Sequence, residues 1–116
     1  MANNTNKPVR HGVAKVPVIM QLEALECGAA SLAMIMAYYG KWVPLEQVRL
    51  GCAVSRDGSS AVNILKAASR YGMSADGYHI ELEALRENVV CPCILHWNFD
   101  HFVVLDGFSG NKAVHD

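Results

Sequence analysis

The sequence of 116 residues lacks a hydrophobic segment long enough to cross a membrane. Its longest stretch without a charged residue runs from Cys27 to Gly40 and has 14 residues, whereas a spanning helix needs about 20 apolar residues. The polar start, residues 1–7, also lacks the apolar core of a secretory signal. We therefore expect a domain in a reducing compartment, where its four cysteines remain reduced thiols.

An excess of positive charge is also absent. The 10 Lys and Arg residues are balanced by 11 Asp and Glu, for a net charge of -1, which argues against nucleic acid as an electrostatic partner. Internal repeats are missing, and so is a glycine-rich phosphate loop ending in Lys and Ser or Thr. What is present is an apolar fraction of 52% against 18% charged residues. The length and this balance indicate one folded domain.

The order of apolar and turn-forming segments predicts an α+β fold, with helices first and strands afterwards. Residues 1–15 are predicted to be a flexible lead-in to a domain spanning 16–116. The helix from Cys27 to Tyr39 is apolar on every side and is ended by Gly40, so we expect it to be the buried central helix. Further helices are predicted near 44–50, 60–71 and 81–87, and strands at 78–80, 93–97, 101–105 and from 113.

Cys27 is the candidate nucleophile. It lies in the first turn of the central helix, where unpaired N–H groups and the helix dipole favour a negatively charged sulfur. The small residues at 28–31 leave the approach to the sulfur open in this interpretation. Position alone favours a small buried core residue over a nucleophile, so the assignment depends on other residues.

Three other residues can form a catalytic site together with Cys27. Gln21 precedes the helix and can supply an amide donor to an oxyanion hole, together with the Cys27 N–H. His101 begins a strand and can act as general base. A four-residue loop at 107–110 would pair Asp106 with Asn111 and place Asp116 directly opposite His101, where a carboxylate orients an imidazole.

The segment QLEALECGAASLAM (21–34) resembles the active-site segment of bacteriocin-processing, double-glycine leader cysteine peptidases, which form the N-terminal domain of peptidase-containing ABC transporters. The segments DGSS (57–60), YG (71–72) and HFVVL (101–105) are similar to that family in the same order, and the resemblance runs from about Val16 to the last residue. It implies a papain-like fold without a cofactor. It also implies cleavage after a Gly-Gly pair of a leader that docks as an amphipathic helix.

By position, the resemblance makes Cys27 the nucleophile, His101 the general base and acid, Asp116 the orienting carboxylate and Gln21 the oxyanion donor. Trp97 is a candidate wall of a cleft that excludes side chains larger than glycine, although a core or edge aromatic fits equally well. The transmembrane and nucleotide-binding parts of such a transporter are not in the sequence. We therefore expect the chain to be a peptidase domain taken from a longer protein at the cytoplasmic face of the membrane.

The sequence also offers a metal site, a rival base and other functions as alternatives. Cys91, Cys93 and His96 carry side chains that can ligate a metal, but on one strand the cysteines face one way and the histidine the other, so we expect no metal site. His96 is also the only rival to His101 as the base. One alternative function is an inactive, peptidase-like domain that binds transporter cargo without cleaving it; the presence of Gln21, Cys27 and His101 argues against it. Another is a papain-like acyl transferase or a peptidase for a different substrate, which only the family resemblance argues against.

Overall fold

The computed structural model describes residues 7–19, 27–53, 60–78, 81–88, 90–97, 101–109 and 112–115. Four helices precede three strands, which is the predicted α+β order. The helices are α1 (Cys27–Tyr38), α2 (Leu45–Gly51), α3 (Ala61–Arg70) and α4 (Leu82–Asn88). The strands are β1 (Cys93–Trp97), β2 (His101–Ser109) and β3 (Lys112–His115), which form one antiparallel sheet in the order β1-β2-β3.

Helix α1 is the centre of the domain, as its composition predicts. All 12 of its residues are buried. Gly40 ends it with φ +92, and the Gly40 and Lys41 N–H groups donate to the carbonyls of Ala37 (3.0 Å) and Met36 (2.8 Å). This pair of bonds is a Schellman motif, which requires a left-handed residue that glycine adopts without strain.

The core lies on both sides of α1. One side packs against α2 and α3 through Met36, Val48 and Ile64, and the other packs against the sheet through Met34, Ile35 and Val104. Helix α3 is capped by Ser60, whose hydroxyl accepts a hydrogen bond from the Asn63 N–H at 3.1 Å. No helix among the described residues combines the length and apolar character needed to cross a bilayer.

Strand β2 differs from the prediction at its C-terminal end. It continues through Gly107 to Ser109, where a four-residue turn is predicted. The observed register pairs Leu105 with His115 and Ser109 with Lys112, with a bulge between Leu105 and Gly107. The predicted pairing would have placed residue 112 opposite Leu105, so it is wrong by three positions at Leu105 and by four beyond the bulge.

The N-terminal segment explains why the strand continues. Val13 forms a bridge with Gly107, and the Ala14 N–H donates to the Asp106 carbonyl at 2.8 Å. Val9 pairs with Cys91 through two hydrogen bonds of 2.7 and 2.8 Å. Backbone hydrogen bonds thus connect this segment with Cys91 and β2, while the flexible lead-in over residues 1–15 stays a prediction.

The predicted strand at 78–80 is described only at Tyr78, which lies outside any strand and is exposed. Residues 79 and 80 lie outside the described residues. The remaining predicted elements are found within one or two residues of their expected bounds, apart from the C-terminal extension of β2.

Candidate active site

Cys27 is the first residue of α1 and is only 5% exposed. Its carbonyl accepts a hydrogen bond of 2.7 Å from the buried Ser31 hydroxyl, one helical turn later. This bond gives the hydroxyl of Ser31 a partner inside the core, where an unpaired polar group would be costly. The small residue at position 31 is thus part of the packing around Cys27.

The main chain of β2 contacts the sulfur directly. The Phe102 N–H donates a hydrogen bond to Cys27 Sγ at 3.3 Å, between two buried residues that are 75 positions apart in the sequence. This N–H belongs to the peptide unit that joins His101 to Phe102. Because that unit is planar and rigid, Sγ lies within about 6 Å of the His101 Cα.

His101 begins β2 and its Cα is paired with that of Trp97 on β1. Its side chain is exposed. Rotation about χ1 and χ2 can carry an imidazole across the distance that separates its Cα from Sγ. The structure therefore places the backbone of the predicted base next to the predicted nucleophile, at the N-terminal end of a rigid strand.

The lack of a side chain at Gly28 allows close packing of its neighbours and does not open a path to the sulfur. A Cβ at this position would lie 2.7 Å from Ile64 Cδ1 and 3.1 Å from Phe102 Cδ2, distances that a side chain cannot occupy without displacing its neighbours. Residues 28–31 are all buried. The small residues after Cys27 thus let α3 and β2 approach the start of α1. Sequence alone instead explains the same small residues by an open approach to the sulfur.

Three predicted site residues cannot be placed in this arrangement. Gln21 and Asp116 lie outside the described residues, and of Trp97 only the backbone is described, in β1 opposite His101. The premise for Asp116, a pairing of strands that puts residue 116 opposite His101, does not match the observed register. Its role stays a prediction that depends on the family resemblance alone.

Two residues connected to the sulfur, one directly and one through a ring contact, were not singled out as partners of Cys27 by sequence reasoning. One is Phe102, whose N–H contacts Sγ. The other is His96, considered as a rival base, whose ring stacks on that of Phe102. His96 on β1 is paired directly with Phe102 on β2, as it must be in a hairpin that pairs Trp97 with His101. The contact to sulfur has no local sequence signal, because it joins two distant segments.

Cys91 and Cys93 lie in a different part of the core from Cys27. Cys91 and Cys93 pack with Leu85 and Leu105, and Cys93 donates a side-chain hydrogen bond to Cys91 that lowers the pKa of Cys91 and raises the pKa of Cys93. Within the described part of the chain, no group of three or more His, Cys, Asp or Glu side chains could hold a metal ion. A cavity of about 260 Å³ bordered by Arg10, Arg86 and Cys91 likewise does not include Cys27.

We expect Cys52 to resist thiol reagents in the folded protein. Cys52 is completely buried and burial raises its pKa to about 11, so about one thiol in a thousand is ionised at pH 8. Iodoacetamide labelling at pH 8, followed by peptide mapping, should modify Cys52 at least about 100 times more slowly in the native than in the urea-unfolded protein. Equal rates in the two states would contradict the buried position of this thiol.

A helix with a cysteine at its N-terminus, packed on an antiparallel sheet that carries a histidine, is the arrangement of the papain-like cysteine peptidases. The structure matches two solved peptidase structures. One, a double glycine motif protease from an AMS/PCAT transporter in complex with the leader peptide, has a TM-score of 0.87 and 61% identity, covering 94% of this chain and 84% of that one. The other, the peptidase domain of Streptococcus ComA, has a TM-score of 0.72 at 22% identity, covering 87% and 77%, and supports the fold alone.

Sequence comparison gives the family. The model of the Peptidase C39 family matches residues 15–115. The colicin V secretion/processing ATP-binding protein CvaB of Escherichia coli is 43% identical over 103 residues, which cover 88% of this chain and 15% of the relative. The transport/processing ATP-binding protein ComA of Streptococcus pneumoniae is 29% identical over 92 residues, covering 75% and 13%. The chain therefore belongs to the Peptidase C39 family of cysteine peptidases, and spans about 15% of the length of its first curated relatives.

Proposed function

We propose that this domain removes the leader of a ribosomally made peptide, such as a bacteriocin or lantibiotic precursor, by cleaving after a Gly-Gly pair. The main support is the match to the double glycine motif protease bound to its leader peptide, since 61% identity over 94% of this chain is high enough for the substrate class to be shared. Cys27 at the start of α1, with its Sγ against the peptide unit of His101 and Phe102, supplies a geometry suited to this reaction.

In the proposed reaction, His101 takes the proton of the Cys27 thiol and the sulfur attacks the carbonyl carbon of the second glycine. The negative charge that develops on the carbonyl oxygen is stabilised by the Cys27 N–H and the Gln21 amide. His101 then returns the proton to the leaving amine, which releases the cargo peptide and leaves a thioester on Cys27. Water deprotonated by His101 hydrolyses the thioester, which frees the leader and restores the thiol.

Two more residues have proposed roles. Asp116 accepts a hydrogen bond from the imidazole of His101 and stabilises its protonated form. Trp97 borders the cleft that receives the two glycines and excludes larger side chains. The support for Asp116 is the family resemblance, and for Trp97 it is the cross-strand pairing of its backbone with His101.

The Gly-Gly requirement gives a direct test of the function. A precursor peptide with a Gly-Gly leader end should be cut once, after the second glycine, as identified by the masses of the two products. Replacing that glycine by alanine should lower kcat/KM by about 100-fold, because one methyl group is placed where a narrow cleft has no room for it.

The matched control for this test is an alanine substitution in the cargo three residues after the cut, which should change kcat/KM by less than about threefold. Equal cleavage of the parent and the Gly→Ala peptides would contradict the narrow cleft. If the Gly-Gly peptide itself were not cleaved, the proposed function would be wrong.

We further propose that the domain works as part of an ABC transporter, at the cytoplasmic face of a bacterial membrane, with transmembrane and nucleotide-binding domains as partners. The support is the description of its relatives as secretion/processing or transport/processing ATP-binding proteins, of which the matched region is about one seventh. Cleavage on that side would separate the leader before or during export of the cargo.

A further inference from the structure

We propose that His96 and Phe102 position the nucleophile: the stacked ring of His96 fixes Phe102, and the Phe102 N–H fixes Cys27 Sγ relative to His101. Both are positioning residues, since neither is placed in contact with the substrate. This inference rests on the proposed function, in which Cys27 and His101 are the reacting pair.

The first observation is the stacking of His96 on Phe102. Their ring centroids are 4.2 Å apart and the ring planes are inclined by 7°, so the two rings are nearly parallel and in contact. The two residues are directly paired across β1 and β2. His96 lies on the exposed side of this pair and Phe102 is 6% exposed. His96 therefore covers the ring of Phe102 from the solvent side.

The second observation is the confinement of Phe102 on its other sides. Its ring approaches the start of α1 so closely that a Cβ on Gly28 would lie 3.1 Å from Phe102 Cδ2. Phe102 also belongs to the core cluster that contains Cys27 and Ile64. The phenyl ring is thus held between the first turn of α1 and the imidazole of His96, and cannot shift without losing one of these contacts.

The third observation is a main-chain hydrogen bond that links Phe102 to the sulfur of Cys27. The main-chain N–H of the same residue donates to Cys27 Sγ at 3.3 Å, and its peptide unit carries His101 at the other end. A fixed Phe102 therefore fixes the sulfur and the backbone of the base as one unit. Since a displacement of about 1 Å in an active site can cost about 100-fold in rate, partial release of Phe102 should lower kcat measurably.

Two roles for His96, positioning and proton transfer, make different demands on its side chain. A general base must present a ring nitrogen to the thiol, whereas a positioning residue needs only a flat ring. Phenylalanine at position 96 retains the flat ring and has no titratable nitrogen. The variants His96→Phe and His96→Ala therefore separate positioning from proton transfer.

The experiment measures kcat and KM for cleavage of the Gly-Gly peptide, with Cys27→Ala as the blank. His96→Ala should lower kcat by about tenfold with KM within about twofold of the parent. His96→Phe should retain at least half of the parent kcat. An unchanged kcat in His96→Ala would overturn the proposal, and so would a His96→Phe variant as slow as His96→Ala.

A second readout does not need cleavage. Amide hydrogen exchange of the Phe102 N–H should become at least about tenfold faster in His96→Ala and stay close to the parent in His96→Phe, because only the first variant releases the ring. Unchanged exchange in His96→Ala would contradict the positioning role even if the peptide assay failed. A parent that does not cleave the Gly-Gly peptide would instead refute the proposed function.

A third variant displaces Phe102 from the opposite side. Gly28→Ala combined with Ile64→Val removes the Cδ1 atom that lies 2.7 Å from the added Cβ, and leaves the 3.1 Å contact with the Phe102 ring. We expect kcat to fall about fivefold or more, while Ile64→Val alone stays within about twofold of the parent. Parent-like activity of the double variant would show that the position of Phe102 does not limit the reaction.

Discussion

Replacing Cys27 by alanine should lower kcat/KM for leader cleavage by at least about 10,000-fold, the scale of loss seen when a catalytic nucleophile is removed. The proposed reaction passes through a thioester, and alanine offers no atom that can form one. Rates are best measured by chromatography of the two product peptides at high enzyme concentration. A variant with a tenth of the parent activity would contradict Cys27 as the nucleophile.

Replacing Cys27 by serine separates the loss of activity from the loss of stability. Cys27 is only 5% exposed and its Sγ accepts the Phe102 N–H, so alanine leaves that buried donor without its acceptor, at a cost of about 1–3 kcal/mol in unfolding free energy. Serine keeps an acceptor in nearly the same place. We expect Cys27→Ser to be as inactive as Cys27→Ala and more stable in urea. Cys52→Ala, which truncates a fully buried cysteine of the same core cluster at the end of α2, should retain the parent kcat.

The central helix was predictable because its signal is local. An uncharged, apolar segment of helix length that is ended by a glycine forms a helix that is buried on all sides in a small domain. The structure confirms this for every residue of α1. The position of Cys27 at the start of that helix follows directly. The strand that begins at His101 was also predictable, since a run of aromatic and β-branched residues indicates it without tertiary information.

The relation between the two segments was not predictable from residues alone. Cys27 and Phe102 are 75 positions apart, and the hydrogen bond between them uses a main-chain N–H that every residue except proline carries. No residue type marks such a contact. The resemblance to a peptidase family suggested that Cys27 and His101 work together, and the fold supplies the reason their backbones are close, namely the packing of Phe102 on α1.

The register between β2 and β3 was predicted wrongly for a related reason. Gly107 and Gly110 flank a short segment that has the composition of a turn, and local rules place a turn there. The glycine at 107 is instead required by a distant segment, since Val13 and Ala14 bond to β2 at this point. A glycine needed for close approach of two backbones and a glycine needed for a turn look alike in one sequence.

Gly107→Ala should accordingly destabilise the domain by at least about 3 kcal/mol. Gly107 has φ +153, and a Cβ there would overlap the Gly12 carbonyl oxygen and lie 2.8 Å from Val13 Cα. Both neighbours are main-chain atoms, so relief requires moving the N-terminal segment away from the sheet, which adds lost hydrogen bonds to the backbone strain. Urea unfolding measures the total, and exchange of the Ala14 amide, which donates to the Asp106 carbonyl, reports the local loss.

Gly72→Ala is the matched control, because Gly72 also has a positive φ, +83, but a Cβ there meets nothing within 4 Å. That variant carries only backbone strain and should lose about 1 kcal/mol, with unchanged exchange at Ala14. The difference between the two variants isolates the contact of the N-terminal segment with β2. If Gly107→Ala were no less stable than Gly72→Ala, residues 12–14 would not lie against the strand. A Gly107→Ala protein that does not fold while Gly72→Ala does would agree with the larger loss.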